Sequence, residues 1–221
     1  MKKALILGIT GQDGSYLAEL LLQKGYEVHG LVRRSATGNT RNIIPILDKI
    51  VIHRGDLGDA TSIYRIINQV RPHEVYNEAD QDHVSWSYDS PDYSFDITGA
   101  AVGRNLEIIR QIDPKIKYFQ PVSSNMFGIA INPQTEETAF RPQSPYGCAK
   151  VMAYHLTRYY RDVFGLFAST AIFYNHESPR RTTDYITRKI TCAAARISKG
   201  LQKELKLGDL NTEVDFGYAG E

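Results

Sequence analysis

Ala4-Leu5-Ile6-Leu7-Gly8-Ile9-Thr10-Gly11-Gln12-Asp13-Gly14-Ser15-Tyr16-Leu17-Ala18-Glu19-Leu20-Leu21-Leu22-Gln23-Lys24-Gly25 carries the reading of the fold. Ala4–Leu7 is short and wholly apolar, the pattern of a strand buried on both faces of a parallel sheet. Leu17, Ala18, Leu20, Leu21 and Leu22 then give an amphipathic helix that stops at Lys24-Gly25. Between strand and helix lies G-x-x-G-x-x-G. Its glycines allow a tight turn and close backbone approach to a pyrophosphate, and the helix N-terminus offers N–H groups and a positive dipole end. An ordinary glycine-rich βα turn shares the spacing. The position after a buried strand and before a helix favours the dinucleotide reading. Gly8, Thr10, Gly11, Gln12, Asp13 and Gly14 are the candidate contacts.

Outward from this unit the pattern repeats. Strands are expected at Glu27–Val32, Lys49–His53, Glu74–Tyr76, Lys117–Ser123 and Ala168–Phe173. Helices are expected through Ile63, Ile66, Ile67 and Val70, over Gly103–Ile112 and over Tyr146–Phe164. The alternation predicts a Rossmann-type, doubly wound parallel α/β sheet occupying residues 1–175. Beyond Asn175 come a polar loop at Ser178–Thr183, a helix from Tyr185 to Lys199 and a short strand at Glu204–Leu207. Residues 176–221 therefore read as a small second unit that looks incomplete.

The 221 residues are 42% hydrophobic and 23% charged, which argues against global disorder or a coiled coil. A net charge of +1 supplies no field for gathering nucleic acid. Cys148 and Cys192 are too few for a disulfide framework or a four-cysteine zinc site and read as free thiols in a reducing compartment. No apolar run approaches the roughly 18 residues that cross a bilayer. The expectation is a cytoplasmic protein with no membrane and no nucleic-acid partner.

The second strand ends Leu31-Val32-Arg33-Arg34-Ser35 with no acidic residue. An acid there accepts from the 2′-hydroxyl of NAD, whereas guanidinium groups match a 2′-phosphate. Arg33 and Arg34 thus favour NADP over NAD, the alternative being a solvated basic loop. Asp56 and Leu57, after the third strand, are placed to meet an adenine by hydrogen bond and by packing respectively.

Tyr146-Gly147-Cys148-Ala149-Lys150 is Y-x-x-x-K at the start of a long helix. Residues i and i+4 share a face, so the ammonium lies beside the phenol and should lower its pKa toward working pH. Ser123, ending a strand upstream, could hydrogen-bond the same reacting oxygen. A lone Y-x-x-x-K is weak; joined to the glycine motif and Ser123 it is strong.

With these motifs the chain resembles the extended short-chain dehydrogenase/reductases that act on nucleotide sugars, and within them the GDP-mannose 4,6-dehydratases. The resemblance rests on Gly8–Glu19, Val32-Arg33-Arg34-Ser35, Gly55-Asp56-Leu57, Ser144-Pro145-Tyr146, Asn175–Arg181 and Thr187–Thr191. It implies oxidation at sugar C4 by NADP, loss of water across C5–C6 and return of hydride to C6. Tyr146 would take the C4 hydroxyl proton, Lys150 would tune it and hold the nicotinamide ribose, and Ser123 would bind the C4 oxygen. Asn175, Arg180 and Lys189 match the stretch used around the nucleotide diphosphate. The resemblance also implies a homodimer or homotetramer, with the loop of Ala36–Arg41 reaching a neighbouring coenzyme site.

Three departures stand out. Where the family pattern has a catalytic glutamate, this chain reads Ser123-Ser124-Asn125, and an amide has no basic lone pair near neutral pH. A C4 epimerase or 4-keto reductase needs no such base, and a non-catalytic dinucleotide-binding protein is a further alternative. The segment Asn77-Glu78-Ala79-Asp80-Gln81-Asp82-His83-Val84 carries acids where the family version is mostly small and apolar. Asp80 or Asp82 is expected to supply a base or to bind sugar donors, the alternative being solvated loop acids. Val214-Asp215-Phe216-Gly217-Tyr218-Ala219 lacks a family arginine near the phosphates. His83 and His176 read as polar site-wall residues with no metal assigned, and Trp86, Tyr88, Tyr93 and Phe95 as core or interface packing.

Overall fold

The computed structural model describes residues 1–36, 38–211 and 213–221, so Thr37, in the expected Ala36–Arg41 loop, lies outside the described residues. The chain divides into two compact units, Met1–Phe173 and Tyr174–Glu221.

The first unit is built on six parallel strands: β1 (Lys3–Leu7), β2 (Glu27–Val32), β3 (Val51–Arg54), β4 (Glu74–Asn77), β5 (Lys117–Ser123) and β6 (Ala168–Phe173). Their order is β3-β2-β1-β4-β5-β6, so the winding direction reverses between β1 and β4. This is the Rossmann-type doubly wound arrangement, which opens a crevice beyond the C-terminal ends of β1 and β4. The all-apolar run of β1 has a simple cause. Leu5 and Leu7 belong to the core on one face of the sheet, Ala4 and Ile6 to the core on the other. A strand with period-2 side chains that is covered on both sides has no position for a polar residue.

Helix α1 (Gln12–Gln23) covers one face, while α2 (Ala60–Val70), α5 (Ala101–Ile112) and α6 (Pro145–Phe164) contribute to the core of the other. The expected helix at Gly103–Ile112 proves to be the last part of a longer run. Helix α4 (Pro91–Ser94) leads through a π-helical stretch, Phe95–Ala100, into α5. Pro91 stands at the first helical position, where a missing N–H costs nothing. The polar residues Asp96 and Thr98 hid the helical period in the sequence. Two further elements carried no sequence signal: α3 (Val84–Asp89) and a 3₁₀ segment at Arg41–Lys49 that includes Pro45.

In the second unit β7 (Asn175–Glu177) pairs in parallel with β8 (Phe216–Tyr218), and α7 spans Ile186–Ser198. Glu204–Leu207 is not a strand, which corrects the sequence expectation. An isolated extended segment has no neighbouring ladder to satisfy its backbone, and β8 takes the place beside β7 instead. Glu177 organises this unit locally, accepting from the Thr187 hydroxyl and pairing with Arg181 at 3.4 Å. The Arg181 guanidinium lies 3.5 Å from the centroid of the Tyr185 ring.

Candidate active site

Helix α6 starts where Ser144, in extended conformation, accepts a hydrogen bond from the Gly147 N–H at 3.0 Å, with Pro145 in the first turn. This cap and proline set the helix phase, and Tyr146 and Lys150 follow on one face. Both are buried, at 7% and 4% exposure. The Lys150 ammonium sits 5.6 Å from the Tyr146 ring centroid. It donates to the Pro121 carbonyl of β5 at 3.0 Å and pairs with Asp80 Oδ2 at 2.6 Å. The other Asp80 oxygen accepts from the Thr98 hydroxyl. Three elements therefore converge on one cation.

Ser123 ends β5, and its Oγ accepts from both the backbone N–H and the side-chain amide of Asn125, each at 3.1 Å. Ser123 also lies beside the Tyr146 phenol and favours its ionised form, against the larger effect of burial. Behind these groups runs a buried polar chain. Gln120 donates to the Pro121 carbonyl at 3.0 Å and accepts from Asn77 and from the Tyr118 hydroxyl, both at 2.8 Å. The carbonyl that receives Lys150 is thus itself held in place.

The electrostatics reverse one sequence expectation. Burial pushes the Tyr146 phenol up to about 12; Lys150 pulls it down by less, and Asp80 and Asp82 push it further up. Adjacency of a cation does not by itself ionise the phenol, because that cation is already paired and both groups lie out of water. For Lys150, burial works against the charge, yet the Asp80 carboxylate, Tyr146 and Asp82 outweigh it and the ammonium stays charged.

At the glycine turn, Gly8 has φ +83°, and a Cβ there would lie 2.6 Å from the Glu78 carbonyl. The turn and the segment after β4 are therefore in direct contact. The N-cap of α1 is Gly11, which has no side chain to cap the helix. Gln12 donates to Asp13 Oδ1 at 3.1 Å, and Asn42, which no sequence motif marked, donates to the Thr10 carbonyl at 3.1 Å. Arg33 and Arg34 are both exposed at the end of β2, with Arg33 donating to the Tyr93 hydroxyl at 2.6 Å. Asp56 Oδ1 accepts from the Gly58 N–H at 2.9 Å, and Leu57 is packed into the core.

The acidic segment is not uniform. Asp80 is engaged by Lys150 and Thr98 within the protein, whereas Asp82 is exposed. Asn175, Arg180 and Lys189 fall in the second unit: Asn175 opens β7, the Arg180 N–H donates to Ser178 Oγ at 3.1 Å, and Lys189 lies exposed on α7. Trp86, Tyr88, Tyr93 and Phe95 are not core residues, since all four are exposed on and around α3 and α4. Thr98, Pro121 and Gln120 had no sequence signal, because their contacts to the site span tens of residues. His83 lies tilted against Trp86, with ring centroids 5.0 Å apart, and accepts or donates at Ser85 Oγ, while His176 contacts the Tyr174 carbonyl.

Comparison with known proteins places this geometry in context. The family model described as GDP-mannose 4,6 dehydratase matches residues 5–221. GDP-mannose 4,6 dehydratase 1 of Arabidopsis thaliana is 48% identical over 232 residues, an alignment covering 100% of this chain and 64% of the relative. GDP-mannose 4,6-dehydratase of Yersinia enterocolitica is 44% identical over 229 residues, covering 99% and 62%. The chain thus spans less than two thirds of the length of these relatives. The crystal structure of UDP-glucose 4-epimerase of Thermus thermophilus in complex with NAD superposes with a TM-score of 0.84 at 26% identity, covering 99% of this chain and 71% of that one. A match over nearly the whole chain, with identity far above what a shared fold alone requires, means that the chain belongs to the GDP-mannose 4,6 dehydratase family.

Proposed function

We propose that this chain modifies a GDP-linked hexose with NADP, by C4 oxidation, loss of water across C5–C6 and return of hydride at C6. The observation that carries the reading is one continuous path of contacts. The segment after β4 touches the glycine turn at Gly8 on one side and Lys150 on the other. Coenzyme turn and acid–base pair are therefore neighbours at the sheet's switch point, where ligands of open α/β sheets bind.

The residues present fit a dinucleotide. A helix N-terminus with glycine at its N-cap, a glycine whose Cβ would strike backbone, and two exposed guanidiniums at the end of β2 make the required donor set. Gly8, Thr10, Gly11, Gln12, Asp13 and Gly14 would hold the pyrophosphate, Arg33 and Arg34 a 2′-phosphate, and Asp56 the adenine. When bound, the coenzyme supplies the acceptor and donor of hydride. As the phenolate, Tyr146 would receive the C4 hydroxyl proton, with Ser123 orienting that oxygen and Lys150 keeping a positive charge beside them. Asn175, Arg180 and Lys189 are proposed to meet the nucleotide diphosphate, residues 1–175 to hold the coenzyme and 176–221 to serve the sugar nucleotide. Assembly as a homodimer or homotetramer belongs to the same proposal. The names of the relatives, all GDP-mannose 4,6-dehydratases, support the GDP-linked substrate.

A second reading rests on Asn125. Its amide donates to Ser123 and cannot abstract a proton from C5. A C4 epimerase or 4-keto reductase keeps the Tyr146 and Lys150 chemistry without that base. Incubation with GDP-mannose and NADP separates the readings. A 4-keto-6-deoxy product supports dehydration, a C4-inverted sugar or net coenzyme turnover supports the second, and coenzyme binding without turnover overturns both.

A further inference from the structure

We propose that Arg104 is a positioning residue for the adenine end of the coenzyme: from α5 it grips the Leu57 carbonyl together with Asp96 and holds the turn after β3 so that the Asp56 carboxylate faces the adenine amino group. The proposal rests on the reading of Asp56 and Leu57 as the adenine contacts.

The turn is held locally from one side. Ser62 Oγ, in α2, accepts from the Asp56 N–H at 3.2 Å and donates to the Asp59 carbonyl at 2.9 Å. The Gly58 N–H donates to Asp56 Oδ1 at 2.9 Å, so Oδ2 is the oxygen proposed for the adenine. These bonds join the turn to itself and to the helix that follows it, and they do not tie it to the neighbouring helical run.

Arg104 supplies that tie. Its Nη2 donates to the Leu57 carbonyl at 3.2 Å, and its Nη1 to Asp96 Oδ1 at 2.6 Å. Nη2 also reaches the Asp96 carbonyl at 3.4 Å. A guanidinium is a planar, rigid fork, so anchoring it on Asp96 fixes the direction in which it offers a donor to Leu57. Arg104 lies eight residues after Asp96, whereas two α-helical turns take about 7 residues. The wider π turn at Phe95–Ala100, across which the Ala101 N–H donates to the Asp96 carbonyl, takes up the difference and lets the two side chains meet on one face. Leu57 and Ile97 share one buried cluster. A Cβ on Gly58 would lie 3.4 Å from Ile97 Cδ1, so the turn rests directly on the π stretch. A plain structural tie is the competing explanation. The Arg104 and Asp96 side chains are 29% and 45% exposed, and ion pairs in such positions contribute little to folding. A plain tie would also leave the choice between coenzyme bases untouched.

Coenzyme binding by the full chain, followed by fluorescence, gives the readout. NADPH is compared with reduced nicotinamide hypoxanthine dinucleotide phosphate, which carries an oxo group in place of the adenine amino group, and both are repeated without the 2′-phosphate. The parent is expected to prefer the amino form about 10-fold, the worth of one hydrogen bond to a charged acceptor. Arg104→Met is expected to reduce the preference to about 2-fold or less, and Arg104→Lys, which keeps the charge without the fork, to fall between. A folded R104M chain that retains the parent's preference overturns the proposal, whatever its overall affinity. If circular dichroism shows R104M unfolded, R104K decides: a reduced preference supports the proposal, and one at the parent's level overturns it. A parent without the preference overturns the adenine reading and the proposal with it, and a parent that binds no dinucleotide overturns the coenzyme reading as well. A parent preference that survives removal of the guanidinium overturns the role of Arg104 alone.

Discussion

Asn125 reaches the hydroxyl oxygen of Ser123 twice, through its backbone N–H and through its side-chain amide, each at 3.1 Å. A serine oxygen has two lone pairs, and both are taken by these donors. The Ser123 side chain lies beside the Tyr146 phenol and favours its ionised form. The residue that departs from the family pattern is thus built into the alignment of the serine.

Removing one of those donors should loosen the serine without abolishing it. Asn125→Ala is expected to lower the rate of coenzyme reduction with a nucleotide sugar about 10-fold, and Ser123→Ala about 100-fold or more. Asn125→Glu replaces a donor with an acid and should raise the yield of 4-keto-6-deoxy product. Steady-state absorbance and product analysis check the series, and equal rates for all variants would place the chemistry elsewhere.

The glycines should separate into crowded and merely strained positions. A Cβ on Gly14 would lie 2.4 Å from the Gly8 carbonyl and 2.9 Å from the Ile9 Cα, both rigid backbone. Gly14→Ala is therefore expected to cost about 1–3 kcal/mol and to abolish coenzyme binding. Gly25 has φ +76° with open space around it, so Gly25→Ala should cost about 1–2 kcal/mol and leave binding intact. Urea denaturation and calorimetric titration distinguish the two.

Ser144 sets the start of the helix that carries Tyr146 and Lys150. Ser144→Ala removes the acceptor for the Gly147 N–H and should cost about 1 kcal/mol of stability. Because the first turn holds Tyr146, turnover should fall at unchanged coenzyme affinity. Ser144→Asp, which also caps, should restore both stability and rate.

The sheet carries a pH-sensitive pair at the β2–β3 junction. His29 Nδ1 lies 3.0 Å from His53 Nε2, and the other His29 nitrogen is 2.9 Å from Glu27. Burial lowers the His53 pKa, with the charges of His29 and Arg65 adding to it. A lowered histidine value means that the unfolded chain binds the proton more readily. The associated stability is therefore complete above the unfolded value of about 6.5 and is lost as pH falls through the folded value. Thermal melts between pH 7.5 and 5 should show a steeper decline for the parent than for His53→Gln; parallel slopes would exclude the pair as the cause.

The strand at Ala4–Leu7, the glycine turn, the Lys24-Gly25 stop of α1 and the i,i+4 spacing of Tyr146 and Lys150 were all readable from the linear chain. Each is a local property: a period, a cap, a backbone conformation that only glycine adopts cheaply. Failures occurred where the cause was remote. Glu204–Leu207 alternates like a strand but has no partner ladder, while Phe216–Tyr218 has one in β7. Trp86 and Tyr88 read as core or interface packing, and their exposure excludes the core.

Local pattern was therefore enough to specify the doubly wound sheet and to nominate Ser123, Tyr146 and Lys150, because strand burial, helix phase and turn chemistry act over a few residues. The charge state of the phenol was beyond its reach. That depends first on the burial of Tyr146 and then on the charges of Lys150 and Asp80, the last 66 positions before Tyr146 in the chain and 2.6 Å from Lys150 inside a medium of low polarity. Coulomb forces in such a medium follow distance in space and not separation along the chain.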